Sequence, residues 1–390
     1  MQVLHAGGVP IHSWAPEIER SAFEQAANLS RLPFAIDHVA LMPDAHTGYG
    51  MPIGGVLHAD GAVVPYAIGV DIGCGVALVE TDLRARDLPP RRLSAVLDAI
   101  AENVPVGTRS HSRAPDRDRA LDEIGLPVPA AIRGEWLDRA LPGLGTLGSG
   151  NHFLELQRDP DGRVHVMLHS GSRSLGKQIC DAYHRRALAF CRATAAPLPH
   201  PELAYLPEAE PGFADYWAAM TYALRFAEVN RARMLAAVSD ALERHTRLGR
   251  FEVVVDVHHN FAAREVHAGR EGLVHRKGAV RARAGERVLI PGSMETASYL
   301  AVGLGNVDAF ETCQHGAGRA MSRTAARRAK GPGEVYAAME AAGVLLHAGD
   351  PRTVAEEAGS AYKDVEAVMA ASADLARPVL RLTPLGVVKG

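Results

Sequence analysis

Gly143-Leu144-Gly145-Thr146-Leu147-Gly148-Ser149-Gly150-Asn151-His152-Phe153-Leu154-Glu155-Leu156 decides between two architectures. Its first six residues match the glycine fingerprint G-x-G-x-x-G. That fingerprint marks a dinucleotide site only where it follows a strand and opens a helix. Here it follows Pro142 and a helical pattern, and it leads into Phe153-Leu-Glu-Leu, which reads as a strand. The order is inverted, so a doubly wound sheet built on this turn is rejected. On the extended segment Asn151, Phe153 and Glu155 share one face and His152 takes the other. A bend or loop is needed if several of them serve one site.

Upstream, residues 16–32 read as an amphipathic helix and His38-Val-Ala-Leu-Met42 as a short strand. Pro43-Asp44-Ala45-His46 then opens a loop, through Gly55, too glycine-rich for regular structure. Asp44 and His46 face the same way if the chain stays extended, and could hold a cation or a hydroxyl. Residues 62–70 read as a buried strand that delivers Asp71-Ile-Gly-Cys74-Gly75. A carboxylate and a glycine-flanked cysteine three residues apart can curl onto one ion, whereas a packing cysteine sits among apolar residues. Residues 83–141 look mainly helical, with a solvated basic run over residues 109–119.

Downstream, residues 163–168 alternate. Val164, Val166 and Leu168 point one way; His165, Met167 and His169 point the other. The strand ends at His169-Ser-Gly-Ser-Arg173. Gly171 to Lys177 nearly matches a phosphate-binding P-loop, but Gln178 replaces the hydroxyl residue that would bind Mg²⁺. With Val253-Val-Val-Asp256 as a second strand, a P-loop phosphotransferase using Lys177 is the alternative reading. Cys180 and Cys191 fall on one face of a helix and read as packing residues. After a proline-rich connector, residues 213–247 form a long helix whose apolar stripe includes Trp217, Met220, Leu224 and Met234. Asn230-Arg231 is its polar exception, read as solvated. The next strand ends in His258-His259-Asn260, where neighbours point to opposite faces. By that alternation His259 takes the metal and His258 a supporting role. His275-Arg276-Lys277-Gly278-Ala279, with Arg281, Arg283 and Arg287, is a solvated edge or a phosphate track. Leu289-Ile-Pro291-Gly292-Ser293-Met294 is an apolar run broken by Pro-Gly, with Ser298 beyond it.

His315-Gly316-Ala317-Gly318-Arg319 follows, with Arg323 four residues later. Glycines allow close backbone approach and φ > 0, and successive exposed N–H groups make an anion nest. A helix starting here would place Arg319 and Arg323 on one face and aim His315 at phosphate. Lys389, beside the terminus, matters only if the last strand is pinned into the core.

The composition sets bounds. The chain has 390 residues, 47% hydrophobic and 22% charged, which is globular composition. Its formal net charge of -3 excludes a bulk polycation, so contact with nucleic acid must come from a local patch. No apolar run approaches a membrane span and no signal peptide precedes the first helix. The four cysteines show no paired spacing, which points to a reducing cytoplasm.

Collected, Asp71, Cys74, His152, His169 and His259 are one carboxylate, one thiol and three imidazoles, each at a strand end or in a glycine-rich loop. They suit one or two borderline divalent ions. At this point the sequence resembles the RtcB-type RNA ligases, nearly end to end. The resemblance rests on Asp71-Ile-Gly-Cys-Gly75, Gly145-Thr-Leu-Gly-Ser-Gly-Asn-His-Phe-Leu-Glu155, His169-Ser-Gly-Ser-Arg173, His258-His-Asn260, Arg276-Lys-Gly-Ala279, Ile290-Pro-Gly-Ser-Met294, His315-Gly-Ala-Gly-Arg319 and Val388-Lys-Gly390.

It implies an α+β fold, a central β-sandwich surrounded by helices, as one catalytic domain over residues 1–390. It implies a GTP- and Mn²⁺-dependent ligase, in tRNA splicing or RNA repair. Such an enzyme joins RNA 3′-phosphate or 2′,3′-cyclic phosphate ends to 5′-hydroxyl ends, and has room for an accessory activator protein. Cys74 matches a ligand shared by two Mn²⁺ ions, with Asp71 and His152 completing one site and His169 and His259 the other. His315 matches the histidine that takes up GMP. Asn151, Glu155, Asn260, Pro291, Gly292, Ser293, Met294, Ser298, Gly316, Ala317, Gly318 and Lys389 match the guanylate site. Asp44, Arg173, Arg319 and Arg323 match positions near the RNA ends. Glu295 departs from the family's small residues and adds a negative charge beside the nucleotide loop.

Overall fold

The strand after the glycine run, Phe153–Arg158, pairs antiparallel with Arg163–Ser170 on one side and Ala376–Lys389 on the other. The computed structural model describes residues 1–111 and 115–390, so Arg113 of the basic run lies outside the described residues. One sheet holds six strands in the spatial order Gln2–Leu4, Ile11–Ser13, Ala35–His46, Ile53–Ala59, Arg270–Lys277 and Asn260–His267. A second sheet holds eight. Its order is Phe251–His258, Gly75–Arg84, Arg163–Ser170, Phe153–Arg158, Ala376–Lys389, Ser298–Gly303 and Arg287–Ile290, with Leu345–Ala348 beside Ala376–Lys389. The edges of this sheet, Phe251–His258 and Arg287–Ile290, curl toward each other across a groove lined by Val254, Asp256 and Arg287. The result is a mixed α/β architecture, a nearly closed β-sandwich surrounded by helices. Antiparallel pairing dominates, as expected where strands need no crossover helix between them.

The alternation over residues 163–168 sorts its side chains into two cores. Val164, Val166 and Leu168 pack with Leu97, Ile100 and Met234. Met167 packs on the other face with Val76, Leu78 and Leu289. The helix Pro211–His245 joins the first of these cores to a third. Its Met220, Ala223 and Phe226 enter the core around Leu29, Leu57 and Ile72, while Met234, Leu235 and Val238 enter that of Val164. A proline at the first helical turn and the Glu210 carboxylate accepting from Gly212 N–H start it.

Three local readings change. The strand Ala35–His46 continues through Pro43 and Asp44 rather than ending at Met42. Residues 62–70 hold only a two-residue strand, Ala62–Val63, followed by the helical turn Pro65–Ile68. Pro65 pre-sets φ for that turn. The chain from Gln314 to Ser322 is not helical: His315 leaves the strand Thr312–Gln314, and the helix begins only at Arg323. Among the described residues no helix is long and apolar enough to cross a membrane.

Candidate active site

Four neighbouring segments converge on one point. The loop after the Pro65–Ile68 turn brings Asp71 and Cys74. The loop before Phe153–Arg158 brings His152, the end of Arg163–Ser170 brings His169, and the junction after Phe251–His258 brings His259. Cys74 Sγ lies 3.4 Å from His152 Nε2 and 3.2 Å from His169 Nε2. His169 Nε2 lies 3.3 Å from His259 Nε2, and His152 Nε2 lies 3.0 Å from Asp71 Oδ2. Cys74, His152 and His169 form a buried group whose ligand atoms fall within 4.8 Å of one another.

The outward ring nitrogens explain the inward ones. His152 Nδ1–H donates to the Leu147 carbonyl at 3.0 Å and His169 Nδ1–H to the Asn151 carbonyl at 3.2 Å. That fixes the tautomer and turns an Nε2 lone pair toward the cluster. Burial raises the Cys74 thiol well above its usual range, and the Asp71 charge adds to it. Burial likewise holds His169 and His259 well below the usual imidazole range, with neighbouring histidines contributing. Three imidazoles, one thiol and one carboxylate face each other here, with His169 and His259 held neutral by burial. This donor set fits a borderline divalent ion.

His315 is next to this cluster, its ring centroid 4.8 Å from that of His259. Asp44 Oδ2 lies 2.7 Å from His315 Nδ1 and also accepts from its backbone N–H at 3.3 Å. With Nδ1–H donating to Asp44, Nε2 is the nitrogen free to react. The carboxylate comes from 271 residues away, so the His315 motif does not itself contain it. Gly318 makes the approach possible. Its φ is +74°, and a Cβ there would sit 2.4 Å from the Asp44 carbonyl oxygen.

Beyond His315 opens a narrow cleft. Its walls include Asn151, Glu155, Pro291, Gly292, Ser293, Met294, Ser298, Gly316, Ala317, Gly318 and Lys389, all expected there. Phe153, His169, Glu357 and Tyr362 also line it. Asn260 does not. Its side chain ties the metal loop to the next strand, donating to the Asp71 carbonyl at 3.0 Å and accepting from Gly278 N–H at 2.8 Å. Glu357 is fully buried and holds the floor together. It accepts from Arg319 Nη1 at 3.1 Å, Lys389 Nζ at 3.4 Å and the Tyr362 hydroxyl. Burial drives Glu155 up to about 7, although Gln157 and Lys389 pull the other way.

A family model described as tRNA-splicing ligase RtcB matches residues 25–125 and 122–390. The RNA-splicing ligase RtcB of Escherichia coli K12 is 37% identical, covering 100% of this chain and 99% of its own length. That of Mycobacterium tuberculosis is 37% identical over 94% of this chain and 100% of its own. The tRNA-splicing ligase RtcB of Thermococcus kodakarensis is 36% identical over 94% of this chain and 90% of its own. The chain belongs to the RtcB family.

Within this RtcB chain the two glycine decoys have structural uses. Arg173 folds over the 143–150 loop, its Nη1 3.3 Å from His152 Nδ1 and its Nε bonded to Thr146 Oγ1 at 3.2 Å. A Cβ at Gly148, whose φ is +90°, would lie 1.7 Å from that guanidinium, so the glycine makes room for an arginine, not a nucleotide. Arg323 approaches Gly150 in the same way and is half exposed. The P-loop match fails too. Residues from Ser174 onward wind directly into the helix Ser174–Ala193, and Lys177 points to solvent, paired with Asp181 at 2.5 Å.

Other residues were misread from their neighbours in sequence. Asn230 and Arg231 are fully buried. Asn230 Oδ1 accepts from Gly145 N–H at 2.6 Å and its Nδ2 donates to the Gly171 carbonyl at 3.0 Å. Arg231 pairs with Asp256 at 2.7 Å and donates to the Gly73 and Ser170 carbonyls, both at 3.1 Å. Together they brace the loops that carry Cys74, His152 and His169. Two adjacent polar residues inside an apolar helical stripe are the signal that could have found them. Arg276 and Lys277 are buried as well, neither edge nor track. Arg276 is bidentate to Glu265 at 2.6 and 2.9 Å. His259 faces the cluster and His258 does not, as expected, but the strand is bulged at Val254 rather than regular. Arg319 turns inward to Glu357 and stacks 5.3 Å over Tyr362. The Glu295 carboxylate accepts from Gly359 N–H at 2.8 Å, so a backbone donor meets its charge away from the cleft walls.

Proposed function

We propose that this RtcB-family RNA ligase joins RNA 3′-phosphate or 2′,3′-cyclic phosphate ends to 5′-hydroxyl ends. It uses GTP through a histidine–GMP intermediate, the whole chain acting as one catalytic unit in the cytoplasm. The observation that carries the reading is the 2.7 Å contact from Asp44 Oδ2 to His315 Nδ1, beside a buried thiol–imidazole cluster and at the mouth of a cleft lined by Asn151, Glu155 and Lys389. All four cysteines are free and buried, which agrees with a reducing compartment.

Asp71, Cys74 and His152 would hold one Mn²⁺, and Cys74, His169 and His259 the other. Bound there, the ions supply Lewis-acid neutralisation of phosphate charge and activation of an oxygen nucleophile. Asp44 holds the His315 ring so that Nε2 faces the cleft and keeps its lone pair. Nε2 attacks the α-phosphorus of GTP, forming a P–N bond as the bond to pyrophosphate breaks. Lys389, Asn151, Glu155 and residues 291–294 orient the guanylate. An RNA 3′-phosphate oxygen then attacks that phosphorus and frees His315. Arg173, with Arg319 and Arg323, offsets charge near the RNA ends. The 5′-hydroxyl finally attacks the capped RNA phosphate and expels GMP, sealing the strand.

Mass spectrometry of the protein after GTP and Mn²⁺ tests the reading. One added guanylate is expected, acid-labile and alkali-stable, lost in His315→Ala and kept in Lys177→Ala. Labelling that survives His315→Ala but vanishes in Lys177→Ala would return the case to the P-loop alternative.

A further inference from the structure

Lys277 is a buried cation that the ligation chemistry does not use. Its ammonium meets three backbone carbonyls: Tyr49 at 2.5 Å, Met51 at 3.0 Å and Tyr66 at 3.1 Å. Burial lowers it to about 8, and among the described residues its hydrogen bonds all go to backbone carbonyls. A desolvated ammonium needs such acceptors, and once it has them it fixes their backbone. The backbone fixed here is the turn at residues 47–52. Side chains pin the same turn from outside. Gln25 exchanges two hydrogen bonds with Gly48, Glu202 accepts from Gly50 N–H at 2.6 Å, and Glu19 accepts from Thr47 N–H.

On this rigid turn Tyr49 is 63% exposed. Behind it, Tyr66 lies 6.3 Å away and stacks on His184 at 3.8 Å, with 11° between the rings. The turn is also close to the reacting histidine. A Cβ at Gly48 would touch Ile53 at 3.3 Å, and a Cβ at Gly278 would lie 2.2 Å from Ile53 and 3.0 Å from His315 Cε1. Ile53 and Gly278 are thus the spacers between turn and nucleophile. Positive charge accompanies the path: Lys363 donates to the Ala45 carbonyl at 2.7 Å, beside His46.

A large exposed aromatic on an immobilised backbone has little to contribute to the core. It has the form of a base-stacking platform, since every nucleobase has a π-face and single-stranded RNA ends offer unstacked bases. We propose that Tyr49 stacks on a base near the RNA end that reaches His315, with Lys277 holding the turn that presents it. The proposal rests on the ligase reading, because it needs RNA as substrate.

The test uses full-length protein and a single-stranded RNA with a 3′-phosphate, carrying 2-aminopurine at successive positions from that end. Wild type and Tyr49→Phe should bind it and quench one position. Tyr49→Ala should lose that quench and bind about five-fold or more weakly. Because guanylate uptake precedes RNA, Tyr49→Ala should label with GTP like wild type. Tyr49→Ala that binds and quenches like a sealing-competent wild type overturns the platform and leaves the ligase reading standing. A wild type that takes up no guanylate and seals no RNA overturns both.

Discussion

Two buried polar groups flank His315, and they solve the problem of burial in opposite ways. On one side Cys74, His169 and His259 are held neutral by desolvation, with His152 among them, donor atoms 3.2–3.4 Å apart and Asp71 at their edge. On the other, Glu155, Lys389, Glu357 and Arg319 include opposite charges that meet each other, with Glu357 and Lys389 at most 2% exposed. The first group is a donor set that suits a borderline divalent cation. The second is already neutralised. In the proposed reading an incoming guanylate would compete there with Glu357 for Lys389. The first side therefore depends on something bound, and the second on a rearrangement of bonds already made.

The largest effect that could break this contrast is at Cys74. In the proposed reading Cys74 is shared by two ions, so its loss would disturb both. Cys74→Ala should abolish Mn²⁺-dependent ligation and metal content by elemental analysis. The loss should exceed the roughly 10- to 100-fold effect of removing an outer partner of a ligand. Cys180 packs in the core and bonds only weakly to the Pro65 carbonyl at 3.5 Å. Cys180→Ala should keep most activity. Equal activity in the two variants would remove the shared-ligand assignment.

Next in size is Asp44, which joins the two sides through His315. Asp44→Asn keeps the shape but presents an amide where the Nδ1–H needs an acceptor, so the ring can flip or change tautomer. Guanylate uptake should fall by about 100-fold or more, as for other histidines that lose their orienting carboxylate. Sealing of RNA already capped with guanylate should fall much less, because His315 has finished its work by then. Loss of both steps in equal measure would mean that Asp44 serves the RNA, not the ring.

The cluster was legible in sequence and the floor only in part, for a physical reason. Cys74, His152, His169 and His259 sit at strand ends or in glycine-rich loops, where a polar residue has no packing purpose. Glu357 lies among alanines with no pattern around it. Its role exists only because Lys389 and Arg319 arrive from elsewhere in the chain to join Tyr362, five residues on. The glycine run read in its context excluded a doubly wound sheet built on that turn, whereas the sandwich came from the family resemblance. The same local logic misplaced Asn230, Arg231, Arg276 and Lys277, since charge suggests solvent until a buried partner is known. It also gave His315 a helix that begins only at Arg323. Periodicity reports local geometry, whereas the Asp44–His315 pair is a tertiary contact.

A finer test lies within the cluster's own strand end. His259 Nε2 faces His169, while His258 bonds to Glu228 at 3.0 Å and to the Gly73 carbonyl at 3.1 Å. His259→Ala should lose the ion it helps to hold. His258→Ala loosens the loop before Cys74, so metal affinity should drop by about ten-fold, the scale of an outer-shell loss. If His258→Ala empties the site and His259→Ala does not, the assignment of the two faces is reversed.

The smallest expected effect is at Lys177, and its smallness is the point. Lys177 follows a run that imitates a phosphate loop, yet its ammonium is 65% exposed and paired with Asp181 one helical turn on. An exposed pair at that spacing contributes only about 0.3–0.5 kcal/mol, so Lys177→Ala should shift Tm by no more than about a degree or two in a chain this long. Guanylate uptake and ligation should match wild type, because nothing in the cleft or the cluster touches Lys177. A loss of labelling in Lys177→Ala with unchanged Tm would show that phosphate is handled at the Ser174–Ala193 helix. Neither side of His315 would then be the reacting centre.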